Sequence, residues 1–168
     1  VNTHPELQYL GLAAALCNDA ELVKQEGSWV GQGDPMEAAL LAFAGKVRVV
    51  NGQLPEQWTR TDVIPFDTKH RYMATLNHDH ENHAFIFIKG APETILAMCG
   101  SQFVDASETS VLDIVYWQLH ANAIAMEGKR VLGIAMKPTN PAHTVLTQTD
   151  VQNSLVFLGL AGLIDPPR

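Results

Sequence analysis

Residues 60–89 contain the pattern that most constrains how this chain folds. Three short strands are predicted there, separated by the polar turns DTKH and HDHEN. The predicted strands are roughly 60–66, 71–77 and 84–89. Turns this short join antiparallel neighbours, so the three strands should form a meander. The third strand is apolar but ends on Lys89, and Gly90 and Pro92 follow at once. The pattern therefore predicts an ammonium group at the tip of an apolar strand.

The other segments predict helices packed beside this sheet. Helical patterns begin at three prolines, namely Pro5, Pro35 and Pro92. A longer helix is predicted over 108–127. Glycines are expected to end three of the helices, namely Gly45, Gly100 and Gly128. Further strands are predicted near 28–30, at RVLGIAMK and at the all-apolar SLVFLGLAGLID, which should be central. Strands and helices do not alternate regularly, which favours an α+β fold with an antiparallel sheet over a doubly wound one.

Composition narrows the possible classes of function. The 168 residues suffice for one domain with a core, and the net charge of -7 argues against a nucleic acid partner. No apolar run approaches the roughly 18 residues of a membrane helix, so the chain itself should not insert into a membrane. Two separate cysteines, Cys17 and Cys99, favour a reducing compartment.

The predicted meander brings four chemically distinctive side chains to one end of the sheet. A turn centred on Thr68 and Lys69 would place Phe66 opposite Arg71, and the second turn would place Lys89 opposite Tyr72. Met73 lies beside this pair in sequence. An aromatic ring, a thioether and two cations suit a flat, anionic ligand, and a nucleotide has that chemistry.

Each of these residues also has a simpler interpretation. A phenylalanine at a strand end often fills a core, and a strand-end lysine often protects a sheet edge. In this simpler interpretation Gly90 permits a turn and Met73 is a core residue. Asp34 is a predicted N-cap, with Glu37 three residues later as its capping-box partner.

Metal binding and catalysis are the two other kinds of chemistry on which the residue patterns bear. The stretch NHDHENH offers a metal-site hypothesis through His78, His80 and His83, but hairpin turns also collect such residues for solvation. No metal ligand is therefore assigned. The chain has no GxSxG, GxxxxGK[ST] or GxGxxG motif and no phosphoaspartate signature, so no catalytic residue is predicted.

Five motifs together resemble the nucleotide-binding domain of type II P-type cation-transporting ATPases. They occur in the order GDPMEAAL, PFDTKHRYM, KGAPE, GKRVLGIA and GLAGLIDPPR. The resemblance spans nearly the whole chain and implies a twisted antiparallel sheet flanked by helices. It also implies a cytoplasmic domain of an integral membrane protein, with phosphorylation and actuator domains of the same parent chain as partners.

The resemblance implies specific roles for residues of the five motifs. Phe66 would stack on the adenine of ATP, Glu37 would accept from its amino group, and Lys89 would line the deep end of the pocket. The other implied binding residues are Met73, Gly90, Ala91, Arg130 and Leu132, and the predicted meander adds Arg71. Mg²⁺ would join the phosphates in the full-length protein, and the isolated domain should bind ATP without turning it over.

The sequence departs from the family pattern at two places. Met36 stands where many members have threonine, and Thr68 stands where some have an arginine near the phosphates, with Lys69 and Arg71 as candidate substitutes. Residues 1–168 are expected to be one domain of a longer ATPase, with 163–168 as the junction to its phosphorylation domain. A stand-alone nucleotide-sensing module and a protein-interaction module remain the alternatives.

Overall fold

The computed structural model describes residues 4–51 and 55–164, so most of the predicted junction, 165–168, lies outside the described residues. The helices are α1 Pro5–Leu16, α2 Pro35–Asn51, α3 Pro92–Met98, α4 Ile114–Met126 and α5 Gln148–Val151, with a 3₁₀ turn at Pro55–Gln57. A small hairpin consists of β1 Glu21–Gln25 and β2 Ser28–Gln32. The main-sheet strands are β3 Trp58–Ile64, β4 Tyr72–Asp79, β5 Ala84–Gly90, β6 Cys99–Asp105, β7 Glu108–Val111, β8 Arg130–Thr139 and β9 Leu155–Leu163.

The main sheet has the strand order β3-β4-β5-β8-β9-β6-β7 within the described residues. Strands β3 to β5 form the predicted meander, and β9 lies inside the sheet between β8 and β6, as its apolar sequence predicts. Neighbours are antiparallel except β6 and β9, which pair in parallel. The α+β class with helices flanking the sheet is confirmed, but the sheet is mixed rather than wholly antiparallel.

Both faces of the sheet are covered, which explains why its inner strands are apolar along most of their length. On one face, Met73 and Phe87 pack with Leu12 and Cys17 of the α1 segment. On the other face, strand residues pack with Ile95 of α3 and with other apolar side chains. Alternate residues of β4 and β5 therefore enter different cores, and the face of β4 that carries Met73 also buries Thr75 and Asn77, which hydrogen-bond to each other.

The register of the meander differs from the predicted one by a residue. Lys89 lies opposite Met73 rather than Tyr72, and Phe66 follows the end of β3 instead of pairing with Arg71. The second turn is centred on Glu81, because the Asp79 carboxylate accepts from the backbone amides of Glu81 and His83. This odd-numbered turn shifts every pair of β4 and β5 by one position.

Two predicted helix boundaries are wrong. Helix α2 runs through Gly45, because packing of its apolar face against α1 outweighs the cost of one helical glycine, about 1 kcal/mol. The segment predicted as a helix over 108–127 begins with strand β7, and α4 starts only at Ile114 after the Asp113 carboxylate accepts from the Tyr116 amide. Gly128 follows the end of α4 at a φ of 81°, as predicted.

Two smaller boundaries also differ from the prediction. Gly100 lies inside β6, because α3 has already ended at Met98. The polar segment after β8 contains the short helix α5, which begins with a capping box between Thr147 and Asp150.

Candidate nucleotide-binding site

A cavity of about 650 Å³ lies between α2, the start of β4, the end of β5 and the start of β8. All nine residues predicted as binding residues line it. They are Glu37, Phe66, Arg71, Met73, Lys89, Gly90, Ala91, Arg130 and Leu132. The fold therefore brings together residues separated by up to 95 positions in the chain, which is the geometry that a binding site of this kind requires.

The N-terminus of α2 aims Glu37 into the cavity. Asp34 caps the helix, because its Oδ1 accepts from the backbone amides of Met36 at 2.7 Å and Glu37 at 3.3 Å. The Glu37 carboxylate accepts from other groups, namely the Lys89 ammonium at 2.7 Å and the Asp19 backbone amide at 3.3 Å. Asp34 thus acts as the predicted cap, and Glu37 faces the cavity.

Lys89 and Glu37 form a largely buried ion pair at the floor of the cavity. The Lys89 side chain is only 9% exposed and that of Glu37 is 20% exposed. The pair joins the end of β5 to the first turn of α2, so it is not the solvated edge charge that the simpler interpretation assumes. A buried charge without a partner is costly, so each member of the pair offsets part of the desolvation of the other.

Phe66 presents its ring to the cavity from the loop between β3 and β4. Its exposure of 58% contradicts the interpretation as a core residue. The loop is ordered by Asp67, whose carboxylate accepts from the His70 backbone amide at 2.6 Å and contacts the His70 ring at 2.8 Å. Hydrogen bonding to the His70 ring and amide lowers the pKa of Asp67, so the carboxylate is ionised at neutral pH and keeps this turn in place.

The two arginines of the predicted site differ in their surroundings. Arg71 has a φ of 63° and places its guanidinium 2.8 Å from the Glu93 carboxylate, an exposed pair at the start of α3. Arg130 is exposed at the beginning of β8. Lys69, the other candidate substitute for a phosphate-side arginine, is exposed in the loop but does not line the cavity. Arg71 and Arg130 are therefore the better candidates for contacts with an anion.

The backbone packing around position 90 requires a glycine, and the sequence alone does not show this packing. A Cβ atom at this position would lie 2.3 Å from the carbonyl oxygen of Arg71 and 2.9 Å from the Cα of Tyr72. The same Arg71 carbonyl accepts from the Ala91 amide at 3.2 Å. The glycine thus lets the end of β5 approach the start of β4 closely, and this approach holds Arg71 and Ala91 at the cavity.

Substituting Gly90 by alanine should destabilise the domain by about 2 kcal/mol, because backbone atoms on β4 must move to admit the methyl group. The matched control is Gly45→Ala, where nothing lies within 4 Å of the added Cβ. This control should stabilise the domain by about 0.5–1 kcal/mol, since alanine is the better helix residue. Urea unfolding of both variants tests the pair, and equal midpoints would contradict the close approach.

Among the described residues, the histidine-rich turn does not bring together the three histidines of the metal hypothesis. His78 instead contacts the Thr61 hydroxyl and the Pro141 carbonyl, whereas His83 lies with Asp79 and Glu81 in a group whose ligand atoms are within 4.8 Å of one another. The bonds from the Asp79 carboxylate to backbone amides of the same turn account for this grouping.

Sequence reasoning missed several residues that line the cavity. Apolar contributions come from Met36, Leu40, Pro65, Val131 and Leu163, and acidic ones come from Asp19 and Asp34. Asp19 lies in the sequence CNDA directly after α1, and a polar pair following an apolar helix is a turn signal that marks this position. The carboxylates therefore come from the turn after α1 and from the start of α2, and the arginines come from the residue before β4 and the first residue of β8.

The chain belongs to the family of cytoplasmic N domains of P-type ATPases. The family model described as "P-type ATPase, cytoplasmic domain N" matches residues 6–168. Among its relatives, the cation-transporting ATPase pma1 of Synechocystis is 38% identical over 98% of this chain. Calcium-transporting ATPase 1 of Lactococcus lactis is 35% identical over 99% of it, and the calcium-transporting ATPase of Bacillus subtilis is 29% identical over all of it.

This chain spans less than a fifth of the length of these relatives, since it covers 18% of the Synechocystis protein and 19% of the other two. Among the residues that the structure describes, no helix has the length and apolar character needed to cross a membrane.

Proposed function

We propose that this domain binds ATP and presents its γ-phosphate to an aspartate in a separate domain of a P-type cation-transporting ATPase. One observation carries the proposal: an exposed phenyl ring and a buried lysine–glutamate pair face the same cavity. Phe66 contributes the ring, and Lys89 and Glu37 contribute the pair. A ring open to ligand on one side and a polar pair at the floor suit a base with polar edge atoms.

Each lining residue has a chemical task in this proposal. Phe66 stacks on the adenine, and the Glu37 carboxylate accepts from the adenine amino group. A carboxylate offers about four lone-pair positions, and Lys89 and the Asp19 amide occupy two of them, so acceptor capacity remains for a ligand. The Lys89 ammonium likewise has donors beyond the one directed at Glu37.

The rest of the cavity surrounds the base and reaches the phosphates. Met73 and Leu132 supply apolar contacts, and the backbone at Gly90 and Ala91 lies beside the base. The guanidinium groups of Arg71 and Arg130 bind the phosphate oxygens, because planar cations match the geometry of phosphate.

The chemistry of phosphoryl transfer favours a domain that binds and positions rather than reacts. Transfer depends on positioning and on neutralising charge, and Mg²⁺ supplies part of that neutralisation at the phosphates. The carboxylates at this cavity do not fit a Mg²⁺ site, because Glu37 pairs with Lys89, Asp19 pairs with Arg60 and Asp34 caps α2. Magnesium coordination therefore belongs to the phosphates and to another domain.

We further propose that the domain acts within a longer, membrane-integral ATPase. Its partners are the phosphorylation and actuator domains of the same chain, and its compartment is the cytoplasm. Weak binding suits this role, because tethering raises the effective concentration and the nucleotide must be released in each cycle. We expect a Kd on the order of 0.1–1 mM for ATP.

An amide NMR titration of the domain with ATP tests the proposal. Resonances of Phe66, Lys89 and Gly90 should shift with a common saturation curve, and inorganic triphosphate should shift Arg130 but leave Phe66 unchanged. A parallel GTP titration measures selectivity for the base. Unchanged spectra at 10-fold the expected Kd, roughly 10 mM ATP, would reject nucleotide binding and favour a protein-interaction module.

A further inference from the structure

The turn after α1 is organised by a buried asparagine that does not line the cavity. Asn18 is only 8% exposed, and its side-chain amide group makes three hydrogen bonds. Its Nδ2 donates to the Ala14 carbonyl at 3.0 Å and to the Glu37 carbonyl at 2.8 Å, and its Oδ1 accepts from the Ala20 amide at 2.8 Å. Asn18 therefore joins the end of α1 to the first turn of α2.

Arg60 holds the same turn from the side of β3. Its Nη2 donates to the carbonyls of Leu16 at 3.1 Å and Asn18 at 2.8 Å, and its Nη1 donates to the Asp19 carboxylate at 2.8 Å. A guanidinium fork fixes the direction of several acceptors at once, which an ammonium group cannot do. The turn is thus held by its own Asn18 side chain and by the Arg60 guanidinium of β3.

The product of this arrangement is the position of one backbone amide. The Asp19 N–H points at Oε2 of Glu37 at 3.3 Å, while Lys89 binds Oε1 at 2.7 Å. Two donors on different oxygens define the plane of the carboxylate, where one donor alone would leave it free to rotate. Glu37 therefore has a set orientation before any ligand arrives.

We propose that Asn18 and Arg60 are positioning residues for nucleotide binding, which act through the Asp19 amide on the Glu37 carboxylate. The inference rests on the proposed function, since it assigns to Glu37 a contact with the base. Its physical basis is preorganisation: a carboxylate held in the productive orientation loses little conformational freedom when ATP binds. Loss of either residue should weaken ATP binding even though neither one touches the ligand.

Three substitutions separate positioning from a purely structural role. Asn18→Ala removes all three side-chain hydrogen bonds and should raise the Kd for ATP about three- to tenfold. Arg60→Gln should act in the same direction, and it leaves no buried charge unpaired, because the Asp19 side chain is 60% exposed. Arg60→Lys retains the charge but not the fork, so we expect it to resemble Arg60→Gln rather than the unchanged domain.

The matched control is Asp113→Ala, which removes the N-cap of α4 far from the cavity. It should lower the free energy of unfolding by about 1 kcal/mol and leave the Kd unchanged. All variants are compared below their unfolding transitions, by isothermal titration with ATP and by the exchange rate of the Asp19 amide proton. Faster exchange at Asp19 together with weaker ATP binding in the Asn18 and Arg60 variants supports the proposal.

Two results would overturn it, and each can be told apart from failure of the proposed function. If Asn18→Ala and Arg60→Gln bind ATP with the Kd of the unsubstituted domain, the turn has only a structural role. If Arg60→Lys keeps that Kd, the charge of residue 60 matters and the geometry of its guanidinium does not. If the unchanged domain binds no ATP, the proposed function fails. The Asp19 exchange rate then still decides whether Asn18 and Arg60 hold that amide on Glu37.

Discussion

Replacing Phe66 by alanine should weaken ATP binding about tenfold while the free energy of unfolding changes by less than about 0.5 kcal/mol. The ring is 58% exposed, so its removal exposes little core, but it takes away the stacking surface of the cavity. Stacking of a base on a protein aromatic ring contributes about 1–3 kcal/mol, and a tenfold change in Kd corresponds to about 1.4 kcal/mol. Isothermal titration at millimolar ATP measures the loss.

The control for this prediction is Trp29→Ala. Trp29 is 68% exposed on the small β1–β2 hairpin and does not line the cavity, so the loss of its ring should leave the Kd unaltered. Phe66→Trp keeps an aromatic face and should retain most of the affinity. Equal affinities for Phe66→Ala and the unchanged domain would remove stacking from the proposed site.

Replacing Lys89 by methionine should destabilise the domain by about 3 kcal/mol and also abolish measurable ATP binding at 1 mM, roughly the upper end of the expected Kd. Methionine fills similar space, but it leaves the Glu37 carboxylate, only 20% exposed, without its cation. Removal of one member of a buried ion pair costs more than the pair itself contributes, because the remaining charge stays desolvated. Urea unfolding at neutral pH measures the change in the free energy of unfolding.

The same substitution at Lys129 is the matched control. Lys129 pairs with Glu127 at 2.8 Å, but both side chains are exposed, and an exposed pair contributes less than about 1 kcal/mol. In the double variant Glu37→Gln with Lys89→Met, part of the stability should return, since no unpaired charge remains, whereas ATP binding should not. A Lys89→Met variant as stable as Lys129→Met would contradict a buried pair at the cavity floor.

The sequence predicted much of the candidate site because its motifs are local. Glu37 follows a helix cap by three residues, Lys89 lies near the end of one strand and Ala91 directly follows that strand, so these placements do not depend on long-range packing. The resemblance to the ATPase domains added residues that residue patterns alone do not select, such as Arg130 and Leu132. All of these residues line the cavity, but their contacts with a nucleotide stay predictions.

The features that the sequence did not predict depend on turn geometry and on distant partners. The one-residue register difference between β4 and β5 arises from the turn at Glu81, where Asn82 takes a φ of 64°. The pairing of Lys89 with Glu37 spans 52 positions, and no local pattern relates the two. No local motif marks Arg60 either, since its guanidinium donates to the carbonyl of Leu16 at the end of α1, 44 positions earlier.

The walls of the cavity come from Asp19 at one extreme of the chain and Leu163 at the other. A truncation that removes Asp19 or β9 therefore removes part of the cavity wall. Proteolytic cleavage within one loop should therefore abolish both nucleotide binding and the cooperative melting transition. Bound nucleotide should slow cleavage at sites distant from the cavity. Screening of truncated clones by nucleotide capture would then report the integrity of the whole domain.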